Sequence, residues 1–329
     1  MQRAPSVQRA QPAPVPGYVT APLHALKSIP TVVVELHVKY DPQSPPVLFC
    51  QAGWQPDPLR LEKLEAAGVS ALLVRNRDFN AFSSHLLQSL DSLLQKEDVP
   101  QTEKFAFLQM AVAAEVEHAF RTIDCSKYCI MAERIGQNLV DLLAGSDVLP
   151  SDLFRIARHD FNTFTHVTNV ASYSVILAER LGVTDRGELN KIAFGAMLHD
   201  VGKRFIPAKI LTKPGRLTNE ERSIVEAHPR RGYEELCVRS DLNVGQLMMV
   251  YQHHERVDGG GYPVGVLADE IHPWAQLLAV VDVFDAITAT RPYRQPVTRQ
   301  VALDYQQKRA GSHFDFEIMQ CWISAMTLA

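Results

Sequence analysis

Two stretches of this sequence decide its fold: residues 253–263, which read HHERVDGGGYP, and residues 199–203, which read HDVGK. Imidazole and carboxylate side chains together suit first-row metals such as iron, manganese, nickel or zinc. The three glycines of the first stretch allow positive φ angles and a close approach of the backbone to a ligand. Glycines alone would indicate an ordinary surface turn, but the two histidines directly before them favour a binding site.

Histidines and aspartates recur through the same half of the chain, and their number favours a centre with two metal ions. His199 and Asp200 are neighbours, and adjacent side chains on a helix diverge by about 100°. Both can serve one centre if the imidazole binds one ion while the carboxylate, with its two oxygens, reaches a second. The further candidate ligands are His166, His228, His253, His254 and Asp282.

The composition excludes several classes of protein. The chain has 329 residues, 46% of them apolar and 21% charged, which is typical of globular proteins with about two domains. Its net charge of −4 argues against a general nucleic-acid binder, so we expect no DNA partner. Five cysteines, an odd number, do not form a disulfide framework. No apolar run approaches the roughly 18 residues of a membrane span, so we expect a cytoplasmic protein without membrane association.

Three regions follow one another along the chain. Residues 1–28 are predicted to form a flexible, proline-rich leader, since they have little to bury and no apolar core of a secretory signal. Residues 29–98 are predicted to form a small α/β domain of order β-β-α-β-α, without the acidic pocket of a receiver domain. Residues 99–329 are predicted to form one helical domain. The fold class is therefore mainly α, with a small α/β domain in front.

The individual elements follow from the periodicity of apolar residues. Alternation over residues 31–40 predicts a strand with one buried face, and the short apolar runs 47–50 and 71–74 predict two more. Asp57-Pro58 and Asp78 are expected to begin two helices. Apolar residues at helical spacing predict further helices over residues 105–120, 128–142, 164–181 and 188–199.

The ordered motifs resemble the HD-GYP domain, a branch of the HD metal-dependent phosphohydrolases that acts on the bacterial second messenger cyclic di-GMP. HDVGK matches the pattern HDxGK, and HHERVDGGGYP matches HHExxDGxGYP. The resemblance covers roughly residues 150–329 and implies an HD-type helical bundle. Further matches follow in order at residues 206–207, 211–215, 228–232 (HPxxG), 282–286 (DVFDA), 291–294 (RPYR), 310–311 and 314–315.

Carried over position by position, the resemblance implies two groups of ligands that share Asp200. One ion would be held by His166, His199, Asp200 and Asp282, and the other by Asp200, His228, His253 and His254. The implied phosphate-contacting cations are Lys203, Arg291 and Arg294. Tyr262 would shape the mouth of the site around a guanine nucleotide, and Asp285 would support a ligand or carry a proton. The implied catalytic residues are Asp200, Lys203 and Asp285.

One position departs from the family pattern and bears on the number of ions. Members with a third metal have a glutamate four residues before the first histidine, and here that position is Asn162. An amide is a poor metal ligand, so we expect two divalent transition-metal ions. Iron is the first candidate, with manganese and nickel as alternatives.

The resemblance implies hydrolysis of cyclic di-GMP to pGpG, to GMP, or to both, by a water molecule that two metal ions activate. Two alternatives stay open: a cyclic di-GMP-binding sensor or scaffold with little or no hydrolysis, and a phosphodiesterase for another cyclic dinucleotide. The expected partners are cyclic di-GMP, a protein such as a diguanylate cyclase, and a second copy of the chain. The helices over residues 103–145 are the candidate surface for that homodimer.

Overall fold

The computed structural model describes residues 15, 17–27, 29–41, 44–69, 71–97, 99–121, 125–157, 163–211, 213, 215–289 and 297–327. The chain divides into two compact units, residues 1–98 and 99–329. The described strands all lie in the first unit and the second is built from helices, so the predicted fold class is confirmed. Among the described residues, no helix is long and apolar enough to cross a membrane.

The amino-terminal unit holds a four-stranded sheet in the order β1-β4-β2-β3, with every neighbouring pair antiparallel. Asp57 begins a helix as predicted, because its carboxylate accepts a hydrogen bond from the backbone N–H of Leu59 at 3.0 Å. The elements are β1 (Tyr18–Pro22), α1 (Leu23–Lys27), β2 (Leu36–Val38), β3 (Val47–Cys50), α2 (Pro58–Ala66), β4 (Ala71–Arg75) and α3 (Phe79–Leu94), with a 3-10 turn at Asn76–Asp78.

The predicted leader is wrong over its last part, because β1 and α1 lie within residues 1–28. β1 forms an edge of the sheet by pairing with β4, and Ala21, Leu23 and Leu26 are fully buried. A five-residue strand that ends in proline carries too few residues for its alternation to be recognised. Residues 1–14 lie outside the described part of the chain.

The strand predicted over residues 31–40 is shorter in the structure. Only Leu36–Val38 form β2, while Val32 makes an isolated bridge to Trp54. The chain bends at Val34, and the pairing of β2 with β3 shifts between Leu36 and His37, so the ladder cannot run the full length. The predicted burial still holds for Val32 and Val34, but Tyr40 is exposed.

The second unit confirms the predicted helices with small changes at their ends. Asp152 lies inside the first turn of a helix that begins at Pro150, where its carboxylate accepts a hydrogen bond from the backbone N–H of Leu149 at 3.2 Å. The helices are α4 (Gln101–Arg121), α5 (Cys125–Leu143), α6 (Pro150–Ala157), α7 (Thr163–Arg180), α8 (Arg186–Leu198), α9 (Ala208–Leu211), α10 (Asn219–Glu226), α11 (His228–Leu236), α12 (Val244–Gln252), α13 (Pro273–Thr288), α14 (Arg299–Gln307) and α15 (Phe316–Thr327).

Helices α7 and α13 are held together by a cluster of aromatic rings. The rings of Tyr173 and Phe284 each lie edge-on to Trp322 of α15, with centroids 5.4 and 5.2 Å away. All three side chains are buried, and such pairs stabilise a core beyond the area they remove from water. The cluster therefore fixes the two helices that carry His166 and Asp282.

Candidate metal centre

The structure brings the predicted ligands into two adjacent clusters. The acid-rich cluster consists of His166, His199 and Asp200, and the histidine cluster consists of His228, His253 and His254. In each cluster the three candidate ligand atoms lie within 4.8 Å of one another. These residues come from four places in the sequence, so only the packing of the helices joins them.

Asp282 completes the acid-rich cluster from α13. Its Oδ1 lies 3.1 Å from Nε2 of His166 and 3.8 Å from Nε2 of His199. Asp282 is buried, as are both imidazoles. The four residues that the family resemblance assigns to one ion therefore surround one small space.

Asp200 lies between the two clusters and presents one oxygen to each. Its Oδ2 lies 3.4 Å from Nε2 of His199 and 3.7 Å from Nε2 of His166. Its Oδ1 lies 3.3 Å from Nε2 of His228 and 3.9 Å from Nε2 of His253. This is the arrangement that a carboxylate needs in order to bind two ions at once.

The backbone orients the imidazoles so that their Nε2 atoms face the centre. The Nδ1 atoms of His199, His228 and His253 each donate to the backbone carbonyl oxygen of the residue three positions earlier. The distances are 2.6 Å to Ala196, 2.8 Å to Val225 and 3.0 Å to Val250. A hydrogen on Nδ1 leaves the lone pair on Nε2, which is the usual way in which proteins prepare histidine as a metal ligand.

Two buried atoms at the centre indicate that a cation fits there. Nε2 of His199 and Oδ1 of Asp200 have no hydrogen-bond partner among the described residues, although both are out of contact with water. An unpaired buried acceptor costs free energy, and a cation between the two clusters would remove that cost. Imidazole and carboxylate are donors that suit divalent first-row metals.

The two clusters differ in their electrostatics. Burial alone would lower the pKa of His166, but hydrogen bonds and charges from Asp282 and Asp285 raise it to about 9. Burial is the main reason that the pKa of His254 is lowered to about 3, and the neighbouring His228 acts in the same direction. Burial together with the surrounding imidazoles also holds the pKa of His253 well below its ordinary value.

The carboxylates of the centre stay ionised despite their burial. Desolvation would raise the pKa of Asp200, but the charges of Lys203 and His199 hold it well below its usual range. Lys203 is half-buried, and its ammonium group donates directly to Oδ2 of Asp200. In the same way, His166 holds the pKa of Asp282 below its usual range against the effect of burial. Both acids are therefore anionic acceptors at neutral pH.

Two glycines of the motifs allow the supporting helices to approach closely. Gly202 lies in the 3-10 turn Val201–Phe205, directly after the last turn of α8. A Cβ atom on Gly202 would collide with the carbonyl oxygen of His228, and one on Gly232 would lie 2.8 Å from the side chain of Val250. These contacts bring the start of α11 against the end of α8, so His228 reaches Asp200.

The glycine-rich loop is held by a buried acid and covers one imidazole. The carboxylate of Glu255 accepts hydrogen bonds from the backbone N–H groups of Val264 at 2.7 Å and Gly265 at 3.0 Å. The ring of Tyr262 stacks on His254 with centroids 4.7 Å apart. Burial raises the pKa of Tyr262 above its usual value, so its hydroxyl stays protonated. The loop therefore forms a fixed wall beside the histidine cluster.

Some of the predicted residues fall elsewhere, and others were missed. Asn162, Arg291 and Arg294 lie outside the described residues. Asp285 contacts the back of His166, whose Nδ1 donates to Oδ2 of Asp285 at 2.7 Å. Asn169, which donates to the other oxygen of Asp285 at 2.9 Å, was not predicted from the sequence. Its position three residues after His166, on the same face of α7, was the available signal.

The comparisons with known proteins agree on one family. A family profile described as "HD domain" matches residues 151–318. A cyclic di-GMP phosphodiesterase response regulator of Xanthomonas campestris is 32% identical over 263 residues, which are 79% of this chain and 62% of that protein. A cyclic di-GMP phosphodiesterase of Pseudomonas aeruginosa is 29% identical over 235 residues, 66% of this chain and 56% of its own length. The chain thus spans less than two thirds of these relatives.

Two further matches concern substrate and fold. A 3'3'-cGAMP-specific phosphodiesterase of Vibrio cholerae is 35% identical over 185 residues, which are 55% of this chain and 35% of that protein. An HDG"Y"P protein from Bdellovibrio bacteriovorus has a similar solved structure, with a TM-score of 0.67 at 17% identity, over 93% of this chain and 98% of that chain. The match to the Bdellovibrio structure supports the fold. The match to the Vibrio cholerae enzyme introduces another cyclic dinucleotide as a candidate substrate.

Proposed function

This chain belongs to the HD domain family, in its HD-GYP branch, and we propose from that membership and from its paired clusters that it is a metal-dependent phosphodiesterase for cyclic di-GMP. The products would be pGpG, GMP or both. The position of Asp200, with one oxygen toward each cluster, is the observation that carries the proposal.

HD domains use divalent metal ions, and the two clusters offer suitable ligands for them. We propose two ions per chain, with iron first and manganese or nickel as alternatives. His166, His199, Asp200 and Asp282 would hold one ion, and Asp200, His228, His253 and His254 the other. Bound divalent ions supply Lewis acidity and activate water for attack on a phosphodiester.

The remaining residues act on the substrate. Lys203 lies at the edge of the centre, where its ammonium group is held by Asp200 and would face the anionic phosphate. A fixed cation stabilises charge that develops on phosphoryl oxygens, more strongly where water is excluded. Tyr262 offers a ring face beside His254 for a nucleotide, and Glu255 keeps that ring in place through the loop. Arg291 and Arg294 are proposed as further phosphate contacts.

The test measures metal content and product formation on the same sample. Full-length protein is stripped of metal and reloaded anaerobically with Fe²⁺, Mn²⁺ or Ni²⁺. Elemental analysis gives ions per chain, and chromatography follows conversion of cyclic di-GMP to pGpG and GMP. We expect about two ions per chain and turnover with at least one metal. Absence of turnover with all three metals would contradict the proposal, and three ions per chain would contradict the interpretation of Asn162.

A second candidate is a phosphodiesterase for a mixed cyclic dinucleotide, and the match to a cGAMP-specific relative favours it. Rates on cyclic di-GMP and on 3'3'-cGAMP, measured side by side with the same metal, separate the two. A ratio of kcat/KM in favour of 3'3'-cGAMP would replace the first proposal. Tight binding of cyclic di-GMP without product over hours would instead indicate the sensor function.

A further inference from the structure

A buried row of polar side chains leads away from His166 on the side opposite the metal centre. We call it the amide chain, and it consists of Asp285, Asn169 and Gln109. Asp285 accepts from Nδ1 of His166 at 2.7 Å and from the amide nitrogen of Asn169 at 2.9 Å. The side-chain oxygen of Asn169 accepts from the amide nitrogen of Gln109. Each of these side chains is at most 7% exposed.

The amide chain joins three helices that the sequence motifs do not connect. Asp285 lies on α13, Asn169 on α7 and Gln109 on α4. Residues 151–318 match the family profile, so Gln109 comes from a helix that precedes the matched region. The support for one predicted ligand therefore extends beyond the motifs that predicted it.

The direction of the hydrogen bonds makes the arrangement specific. If the amide of Asn169 were turned over, its oxygen would face the carboxylate of Asp285 and its NH₂ group would face the NH₂ group of Gln109. Both contacts would be unfavourable in a buried site. The carboxylate of Asp285, which can only accept, selects the orientation in which Asn169 donates to it, and Gln109 holds the other end of this amide by donating to the Asn169 oxygen. The other oxygen of Asp285 is then aligned to accept the Nδ1 hydrogen of His166.

These hydrogen bonds determine which way Nε2, on the opposite edge of the His166 ring, is directed. With Nδ1 donating to Asp285, Nε2 lies 3.1 Å from Asp282 and 3.7 Å from Asp200 and is the nitrogen available to a metal ion. Partners of this kind fix the tautomer and the ring orientation of metal-binding histidines, and their substitution typically costs 10- to 100-fold in metal affinity or activity. A ring that is free to rotate would lose part of that affinity.

We propose that Asn169 and Gln109 are positioning residues that hold His166, through Asp285, in the orientation that binds the ion of the acid-rich cluster. This inference rests on the proposed metal-dependent function. Asn169 acts directly on Asp285, whereas Gln109 acts only through Asn169. The histidine cluster contains none of these contacts and should be unaffected.

The experiment titrates metal-stripped full-length protein with Mn²⁺ and measures free Mn²⁺ by electron paramagnetic resonance. The variants are Asn169→Leu and Gln109→Met, which keep the side-chain volume and remove the amide. The matched control is Gln306→Met, because Gln306 is a buried amide that donates to the backbone oxygen of Val280 of the same α13 at 2.7 Å and does not contact Asp285.

We expect Asn169→Leu to weaken one of two Mn²⁺ sites by about 10- to 100-fold and to leave the other within twofold. Gln109→Met should weaken the same site by a smaller factor, and the double variant should be no weaker than Asn169→Leu alone. On cyclic di-GMP at limiting Mn²⁺, kcat should fall while KM stays near the wild-type value, and saturating Mn²⁺ should restore most of the lost rate. Gln306→Met should lower the Tm without changing either Mn²⁺ affinity.

Several outcomes would overturn the inference. One is an Asn169→Leu protein whose two Mn²⁺ affinities both stay within twofold of wild type. Another is a loss of Mn²⁺ affinity in Asn169→Leu that is no larger than the loss in Gln306→Met. Additive losses in the double variant would also contradict the action of Gln109 through Asn169. If Asn169→Leu fails to fold, the same Mn²⁺ titration is made on Asn169→Asp. This variant keeps the shape of the side chain but places a second carboxylate against that of Asp285. Wild-type protein that binds none of Fe²⁺, Mn²⁺ and Ni²⁺ would instead refute the proposed function.

Discussion

The acid-rich cluster and the histidine cluster lie on either side of Asp200, which presents one oxygen to each, but they differ in their affinity for protons. Around His166, two carboxylates stabilise the charged imidazole and raise its pKa to about 9. Around His254, burial and a neighbouring imidazole disfavour the charge, and its pKa falls to about 3. Neighbouring groups with the same ligand atoms can therefore differ by several pKa units because of the charges that surround them.

A second difference separates His166 from His199, His228 and His253 and concerns how each ring is oriented. His199, His228 and His253 each donate to a backbone carbonyl oxygen three residues earlier, so the adjacent backbone orients them. His166 instead donates to a side chain of another helix, Asp285. The orientation of His166 therefore depends on tertiary packing, and it should be the more sensitive of the two kinds to substitutions at a distance.

The largest effect is expected from Asp200→Asn, because this side chain belongs to both clusters. The amide removes the shared negative charge, so both proposed ions should bind more weakly. Substitution of a residue that only supports a metal ligand typically lowers activity by up to about 100-fold. We expect Asp200→Asn to lower cyclic di-GMP turnover by more than that. Elemental analysis should give fewer than two ions per chain.

The control for this variant is Asp304→Asn, an exposed acid of α14 outside both clusters. It should retain wild-type turnover and metal content. Two ions per chain in Asp200→Asn, with rates near wild type, would show that the clusters do not share a ligand.

Substitution of one histidine in each cluster should separate the two sites. His166→Ala is expected to weaken the ion of the acid-rich cluster by at least tenfold and to leave the other bound, and His254→Ala should do the reverse. Each protein should retain about one tightly bound ion, as measured by Mn²⁺ titration. His313→Ala, a histidine in neither cluster, serves as the control. Loss of both ions from either single variant would mean that the clusters bind metal only together.

The smallest effect concerns protons released when metal binds at pH 7. His166, with a pKa of about 9, carries a proton at that pH and must release it to bind an ion. His254, with a pKa of about 3, is already neutral and has no proton to release. Calorimetry in buffers of different ionisation enthalpy should therefore detect release of about one proton from the His166 side. His166→Ala should abolish that release, and an unchanged value would refute the assignment.

Much of the site could be predicted because many of its candidate ligands lie in short sequence motifs. The pairs His199-Asp200 and His253-His254, with the glycines that follow, indicated metal ligands and a binding loop. The structure places these residues together. Asn169 and Gln109 could not be predicted in the same way, because a buried amide has no characteristic spacing and its role depends on which partner the fold supplies.

The amino-terminal unit shows the same limit for secondary structure. α2 and β4 were predicted from a cap and an apolar run, which are local signals. β1 was missed because it exists through its pairing with β4, far along the chain. Short strands gain their stability from neighbouring strands, so their own residues carry little of the information.

The sequence by itself determined the mainly helical class and the identity of the candidate ligands. These features depend on residue type and on contacts within a few positions. Only the tertiary structure decided that Asp200 lies between two clusters and that His166 is held by Asp285. It also decided that the pKa of His166 rises while the pKa of His254 falls. These features depend on distances between side chains of different helices, and burial makes the charges at those distances strong.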